Sequence, residues 1–411
     1  MTGSLTQDAL ASTVNPLVAT TLDAVLEEEL RAIDAAGLRR TIRTVRRLGG
    51  ARVLVDGREA LDFASNDYLG LAADPRLASA MAEGAANAGT GAAAARLITG
   101  TTPEHESLER ALAEHIGAES ALLFPSGYAA NVAIIPALSG HEDIIYSDQL
   151  AHASLIDGCR LSKARVCVVP HRDLAALESL LRSNRGRARR SLIVTEGVYS
   201  MDGDHAPLEE LLKLSRRHGA WVMLDDAHAI GVIGPEGRGS AAALGLEAGP
   251  DITIGTLGKA FGTAGAFVGG SRVLIEYLQH RARSFVFSTA TSPALAAATL
   301  AALRIAREEE WRRDRLRENA RTVRPRLQAI GCNPGGDLDS AIVPVPLGDP
   351  RRTMRVAARL ERDGIIVGAI RPPTVPAGTS RLRISLSAAH EPQHIDRLCS
   401  AIAAALAPGD V

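Results

Sequence analysis

The sequence is short of cysteine and of net charge. Among its 411 residues the cysteines are Cys159, Cys167, Cys332 and Cys399. They form no Cys-x-x-Cys motif, and four cysteines in so long a chain do not make a disulfide framework. We therefore expect free thiols in a reducing compartment. The formal net charge of −1 gives the chain no bulk attraction for nucleic acid or for an anionic membrane.

The sequence also lacks a long apolar run. Its most apolar stretch, Ser292 to Leu303, is too short to span a bilayer. Residues Met1 to Thr20 lack the basic start and apolar core of a signal peptide. A basic run, Arg182 to Arg190, has no interleaved aromatic residues, so we interpret it as a solvated loop and not as a nucleic-acid patch. Together these features predict a cytoplasmic protein with no nucleic-acid partner and no membrane partner.

What the chain does have is a regular alternation of apolar runs and helical patterns from Leu61 to about Ser288. Six runs are typical of buried strands: Ser120–Phe124, Asp143–Tyr146, Ala164–Val169, Ser191–Thr195, Ala220–Leu224 and Asp251–Gly255. A helix is expected from Leu208 to His218, where Gly219 ends it. Strands of this kind that alternate with helices predict an α/β fold with a mostly parallel sheet covered on both faces.

Three parts of the chain differ in pattern. We expect residues 1–60 to form an N-terminal arm that belongs to a small domain, and residues 61–290 to form a large α/β domain. Residues 291–411 change character, with a long helical stretch from Pro293 to about Ala329 before further strands. We interpret them as a smaller C-terminal α+β domain.

Polar residues stand where the predicted strands end, which is where active sites of such sheets lie. Asp225 and then His228 follow the run Ala220–Leu224, and Lys259 follows the run Asp251–Gly255. Glycines around Lys259 suit the close approach of a planar ligand. A lysine that forms a Schiff base and a carboxylate that keeps a pyridinium protonated are what pyridoxal 5'-phosphate (PLP) chemistry requires.

Simpler interpretations of these residues stay open. Asp225 could be a helix cap and His228 a buried core histidine. The two could also bind a metal, but no Cys or His stands nearby at the usual spacing, so no metal site is predicted. His152, after a predicted strand, could be a cap, or could stack on an aromatic ring. Gly127 opens a helix after another strand, and the N–H groups there favour a phosphate.

Five segments, in this order, resemble the α-oxoamine synthases: Ser65–Gly70, His152–Gly158, Thr195–Asp204, Asp225–His228 and Thr256–Lys259. These are fold-type-I PLP enzymes that condense an amino acid with an acyl thioester and release carbon dioxide. The resemblance covers nearly the whole chain. Within the family, Ile370–Arg383 is most similar to members that use L-alanine and a pimeloyl thioester.

The resemblance implies a homodimeric, PLP-dependent acyltransferase whose active site is shared between subunits. Lys259 would bind the cofactor covalently and move the Cα proton, and Asp225 would pair with the ring nitrogen. His152 would stack on the ring, and His228 would hydrogen-bond its phenolic oxygen. The other implied cofactor contacts are Gly127, Tyr128, Ser200, Thr256 and, from the neighbouring subunit, Ser288 and Thr289.

The implied substrate contacts are Arg39, Asn66, Glu196, Thr374 and Arg383. Arg381 lies one pleat period from Arg383, so the choice of Arg383 as the carboxylate-binding residue depends on the resemblance. Two positions depart from the family pattern. Ala95 replaces a residue that is often hydroxylated or bulkier, and Ala229 replaces a frequent glycine.

The implied reaction joins L-alanine to pimeloyl-CoA or a pimeloyl carrier protein. Three alternatives stay open: an α-oxoamine synthase that uses glycine or serine, an aminotransferase on the same fold, and a non-catalytic interaction protein with a relic site. The presence together of Lys259, Asp225 and His152 favours an enzyme.

Overall fold

A computed structural model describes residues 21–407. The contacts divide the chain into residues 1–43 and residues 44–411. In the N-terminal unit, helix α1 spans Leu22–Ala35, and the Thr21 hydroxyl caps it by accepting from the Ala24 N–H at 3.3 Å. Its apolar residues recur at helical spacing, which makes α1 amphipathic.

The larger unit contains two β-sheets. Its strands are β1 (Val45–Gly49), β2 (Arg52–Val55), β3 (Arg58–Phe63), β4 (Ser120–Phe124), β5 (Ile144–Asp148), β6 (Arg165–Val169), β7 (Ser191–Glu196), β8 (Trp221–Asp225), β9 (Ile252–Thr256), β10 (Ala266–Gly270), β11 (Ile342–Gly348), β12 (Ile365–Ile370) and β13 (Ser380–Ser385).

Helices cover these sheets. They are α2 (Pro75–Ala88), α3 (Pro103–Ile116), α4 (Gly127–Leu138), α5 (Ala153–Leu161), α6 (Leu174–Ser183), α7 (Leu208–His218), α8 (Ser240–Ala243), α9 (Arg272–Arg281), α10 (Arg283–Val286), α11 (Pro293–Glu308), α12 (Glu310–Ala329), α13 (Pro350–Arg362) and α14 (Pro392–Leu406). A π-helical turn spans Arg96–Gly100, and a 3-10 turn spans Pro235–Gly237.

The seven-stranded sheet has the order β4-β10-β9-β8-β7-β5-β6. Strands β9, β8, β7, β5 and β6 are parallel, whereas β10 runs antiparallel to both β4 and β9. The successive residues Val222, Met223 and Leu224 of β8 are all buried, so both faces of this strand are covered. The predicted α/β fold with a mostly parallel, two-sided sheet is confirmed.

The six-stranded sheet has the order β1-β2-β3-β12-β13-β11. Strand β3 pairs in parallel with β12, with Leu61 opposite Ile365. This pairing joins strands from near both ends of the chain in one sheet. The proposed boundary between residues 60 and 61 falls inside β3, and the division into domains stays a prediction.

The helical stretch predicted from Pro293 to about Ala329 is two helices, α11 and α12. Glu309 separates them with φ −95° and ψ 69°, which is not helical. Its carboxylate accepts from Arg312 Nε at 2.8 Å and from Arg76 Nη1 at 2.6 Å. These ion pairs tie the break to the start of α2, a long-range contact that helical periodicity does not reveal.

The four cysteines are free thiols, as predicted. Between residues 21 and 407, no helix has the length and apolar character needed to cross a membrane.

Candidate active site

Lys259 lies in the tight turn after β9. Its carbonyl accepts from the Gly262 N–H at 2.9 Å. Gly262 has φ +66°, and a Cβ there would lie 2.4 Å from the backbone nitrogen of Ala72, so a glycine is required at this point. Burial lowers the pKa of Lys259 to about 8, although Asp225 and Glu196 partly oppose that shift. The neutral amine, which is the nucleophilic form, is therefore accessible near neutral pH.

Asp225 is the last residue of β8, and each of its carboxylate oxygens has a donor. Oδ1 accepts from the Ala227 N–H at 3.1 Å, and Oδ2 accepts from Asn131 Nδ2 at 2.7 Å. The side chain is buried. Two donors from different elements fix the direction in which this anion points.

His228 connects Lys259 to a buried tyrosine. Its Nε2 lies 2.8 Å from Lys259 Nζ, and its Nδ1 lies 2.6 Å from the hydroxyl of Tyr68. Burial lowers the pKa of His228 well below its usual value, and the cations of Lys259 and Arg383 lower it further. The imidazole is therefore neutral at physiological pH, with a proton on one nitrogen only.

His152 caps the N-terminus of α5 with a nitrogen of its imidazole ring. Nδ1 accepts from the Ser154 N–H at 3.2 Å and lies 2.7 Å from Ser154 Oγ. Ser154 Oγ also accepts from Asn131 Nδ2 at 2.9 Å. Asn131 therefore links the support of His152 to the support of Asp225. Sequence reasoning missed Asn131 and Ser154. The available signal was an isolated amide in the otherwise apolar helix α4.

The start of α4 offers backbone donors with open space before them. Ser126 Oγ caps the helix by accepting from the Ala129 N–H at 3.1 Å. A Cβ built on Gly127 meets nothing within 4 Å, so a ligand can approach this backbone closely. Tyr128 is exposed and donates to Asp157 Oδ2 at 2.5 Å. Thr256, at the end of β9, donates to the Gly265 carbonyl at 3.2 Å.

Ser200 and Glu196 lie on the chain that leaves β7. The Ser200 N–H donates to Glu196 Oε2 at 3.1 Å. Burial raises the pKa of Glu196 to about 8, and the neighbouring Asp225 raises it as well. Both side chains are buried.

Arg383, on β13, lies beside Asn66. Its Nη1 donates to Asn66 Oδ1 at 3.1 Å, and its Nε donates to the Ser200 carbonyl at 2.7 Å. Asn66 Oδ1 also accepts from the Tyr68 hydroxyl at 3.2 Å, which connects this arginine to the group around His228. The structure pairs Arg381 instead with Asp202.

The structure also locates the remaining predicted site residues. Thr374 is in the exposed turn between β12 and β13. Ser288 and Thr289 lie between α10 and α11, and Thr289 forms a β-bridge with Ala95. Arg39 follows α1 in the N-terminal unit. The roles assigned to all the site residues stay predictions.

These residues fit PLP. A partly buried lysine with a lowered pKa stands next to a fixed strand-end carboxylate, and an open helix N-terminus supplies donors for a phosphate. Glu196 Oε1 is also buried without a hydrogen-bond partner in the described part of the chain. Within residues 21–407, no three His, Cys, Asp or Glu side chains cluster as metal ligands.

Comparison with known proteins defines the class. Residues 58–402 match the family model described as aminotransferase class I and II. The solved structure of a serine palmitoyltransferase variant from S. paucimobilis with a bound PLP–myriocin aldimine is similar, with a TM-score of 0.88 and 32% identity over 93% of this chain and 96% of that one. The chain belongs to the aminotransferase class I and II family and, within it, to the α-oxoamine synthases. It is a PLP-dependent acyltransferase.

Curated relatives are more similar still. The chain is 48% identical to the 8-amino-7-oxononanoate synthase of Alkalilimnicola ehrlichii over 386 residues, which cover 93% of this chain and 97% of that protein. It is 49% identical to the enzyme of the same name from Anaeromyxobacter dehalogenans over 378 residues, or 92% and 94% of the two chains. Among the α-oxoamine synthases, the chain is therefore most like the 8-amino-7-oxononanoate synthases.

Proposed function

We propose that the protein catalyses the decarboxylative condensation of L-alanine with a pimeloyl thioester to give 8-amino-7-oxononanoate, a step of biotin biosynthesis. The thioester is carried by CoA or by a carrier protein. The observation that carries this proposal is the near-half identity to 8-amino-7-oxononanoate synthases over more than nine-tenths of the chain. Lys259, His228 and Asp225 supply the chemistry at one sheet edge.

When bound, PLP supplies an electron sink for the negative charge that develops at the substrate Cα. Lys259 would hold the cofactor and, as a free amine, would take and return the Cα proton. Asp225, held by Asn131 and the Ala227 N–H, would pair with the ring nitrogen and favour its protonated form. Neutral His228, whose Nε2 lies 2.8 Å from Lys259 Nζ, would hydrogen-bond the phenolic oxygen of the cofactor.

Arg383 is the residue we assign to the substrate carboxylate. Guanidinium groups bind carboxylates through two parallel hydrogen bonds. Asn66 and the Ser200 carbonyl hold Nη1 and Nε, so the plane of the group is set before a substrate arrives. In this proposal Asn66, Glu196 and Thr374 also contact the substrate, and the role assigned to Arg39 in the N-terminal unit stays a prediction from the resemblance.

We also propose that a second copy of the chain packs against an apolar patch formed by Leu97, Ile98 and Phe287. Ile98 is 77% exposed and Phe287 is 71% exposed. The patch adjoins Ser288 and Thr289, which are proposed to reach the phosphate in the partner's site. A homodimer covers the patch and completes both sites. The cytoplasmic location stays a prediction.

The test uses the full chain loaded with PLP, pimeloyl-CoA, and L-alanine, glycine or L-serine in turn. Release of free thiol gives kcat/KM for each amino acid. We expect L-alanine to be best by about 10-fold or more, because a methyl-sized difference in an apolar pocket is worth about 1–3 kcal/mol. Lys259→Ala is the inactive control. Preference for glycine or serine would replace this reaction by that of another α-oxoamine synthase. Keto-acid-dependent amino transfer without thiol release would indicate an aminotransferase.

A further inference from the structure

Two buried carboxyl groups stand side by side in the cofactor site. Glu196 and Asp225 are the last residues of β7 and β8 and are directly paired across these parallel strands. Their exposed fractions are 3% and 7%. Ionising two neighbouring carboxyl groups away from water is costly, so a state in which the pair shares one proton is favoured.

The hydrogen bonds indicate which of the two holds that proton. Asp225 receives a donor on each oxygen, from Ala227 and Asn131. Glu196 receives one hydrogen bond of normal geometry, from the Ser200 N–H to Oε2, and the His152 N–H has a smaller influence on it. Its Oε1 is buried, and no described residue bonds to it with normal geometry. A protonated carboxyl can donate from that oxygen, whereas an ionised one would leave a buried anionic oxygen unpaired.

The charged groups that act on Glu196 are Asp225, at the end of β8, and Lys259, in the turn after β9. Asp225 opposes a negative charge there, and Lys259 favours one. The backbone N–H groups of Ser200 and His152 also favour the anion, but burial is the largest influence. Asp226 is a useful contrast. It is buried too, but it accepts from both the N–H and the hydroxyl of Ser240, and its pKa rises only to about 6.

We propose that Glu196 is a positioning residue that stands in the cofactor site as a neutral carboxylic acid, which leaves Asp225 as the single anion against the ring nitrogen. A second anion would also stabilise the ammonium form of Lys259, since the charge of Glu196 favours that form. The neutral acid therefore keeps Lys259 available as an amine. This inference rests on the PLP site of the proposed function but not on the identity of the amino acid or thioester.

The first measurement is an infrared titration of the holoenzyme with carbon-13-labelled glutamate. A carboxylic-acid carbonyl band that shifts with the label should be present at pH 7 and should disappear as the pH rises through about 8. Glu196→Gln should lack that band, and Glu83→Gln, at an exposed position on α2, should keep it. Absence of a labelled acid band at pH 7 in the wild-type protein would overturn the proposal, even if the variant did not fold.

The second measurement is the dissociation constant of PLP across the same pH range. Glutamine mimics the neutral acid, so Glu196→Gln should bind PLP within about fivefold of wild type at pH 7. It should also lack the change in affinity that we expect for the wild-type protein above pH 8, where Glu196 ionises. Weakening beyond fivefold at pH 7, with Glu83→Gln unchanged, would mean that the anion is required. Neither readout needs turnover, so a wrong substrate assignment leaves both intact.

Discussion

At the scale of single residues, the candidate site depends on side chains that position other side chains through hydrogen bonds. Asp225, His228 and Lys259 stand at strand ends where apolar runs stop, so a sequence pattern finds them. Asn131 does not stand at a strand end. It lies inside an apolar helix, and its importance depends on tertiary contacts with Asp225 and Ser154. Periodicity along the chain carries no information about such contacts.

Changing Asp225 to Asn should slow turnover far more than it weakens cofactor binding. The amide cannot supply the negative charge that keeps the ring nitrogen protonated. It also turns a donor toward either Asn131 or the Ala227 N–H, which both donate to the native carboxylate. We expect a loss of roughly 10²-fold or more in kcat/KM. Steady-state kinetics and a PLP titration measure the two effects. Near-wild-type turnover would show that Asp225 is only a helix cap.

At the scale of elements, strands and helices with uninterrupted patterns were predicted closely. Strand β4 and helix α7 have the predicted bounds, and Gly219 ends α7 with φ 66°. Strand β10 was missed because Gly269 and Gly270 weaken its pattern. A Cβ on Gly269 would lie 2.3 Å from Ile116 Cδ1, so a larger residue at this position would require the Ile116 side chain to move. The pairing of β3 with β12 links residues about three hundred apart, and no local signal predicts it.

His171 lies between two carboxylates and stabilises the loop that contains Ser200. His171 Nδ1 lies 2.9 Å from Asp148 Oδ1, and Nε2 lies 2.8 Å from Asp204 Oδ2. Burial alone would lower the pKa of His171, but these two carboxylates raise it to about 9. The ring also packs edge-on against Tyr199, with centroids 4.4 Å apart. The imidazolium is therefore charged at neutral pH and connects β5 to the segment after β7.

His171→Gln should destabilise the protein in a pH-dependent manner. Because the folded-state pKa is raised, the stabilisation is complete below the ordinary histidine pKa of 6.5 and is lost as pH rises through about 9. We expect a loss on the order of 3 kcal/mol at pH 6 that shrinks toward pH 9.5. Denaturant unfolding at several pH values measures it, with exposed His141→Gln as control. An equal loss at pH 6 and pH 9.5 would rule out the charged pair as its source.

At the scale of the whole molecule, the proposal requires two chains for each complete site. Exposed Ile98 and Phe287 beside Ser288 and Thr289 support it. The homodimer was inferred from family resemblance, because composition and periodicity along one chain do not reveal a symmetric partner.

Mixing two inactive variants tests the shared site. One is Lys259→Ala, and the other carries Ser288→Ala with Thr289→Ala. In a hybrid dimer, one site combines an intact Lys259 with an intact Ser288 and Thr289 from the other chain. Random exchange of subunits should restore about a quarter of wild-type activity. Exchange that is confirmed by mass but restores no activity would place Ser288 and Thr289 outside the partner's site.

The central claim is that this chain joins an amino acid to an acyl thioester with loss of the amino-acid carboxyl group. The most direct test supplies L-alanine labelled in its carboxyl carbon, with pimeloyl-CoA and the PLP-loaded protein. Labelled carbon dioxide and free CoA are then counted together. The account predicts one labelled carbon dioxide for each thiol released, and a product that keeps the amino group and methyl carbon of alanine. Thiol release with the label retained in the product, or with no labelled carbon dioxide, would contradict it.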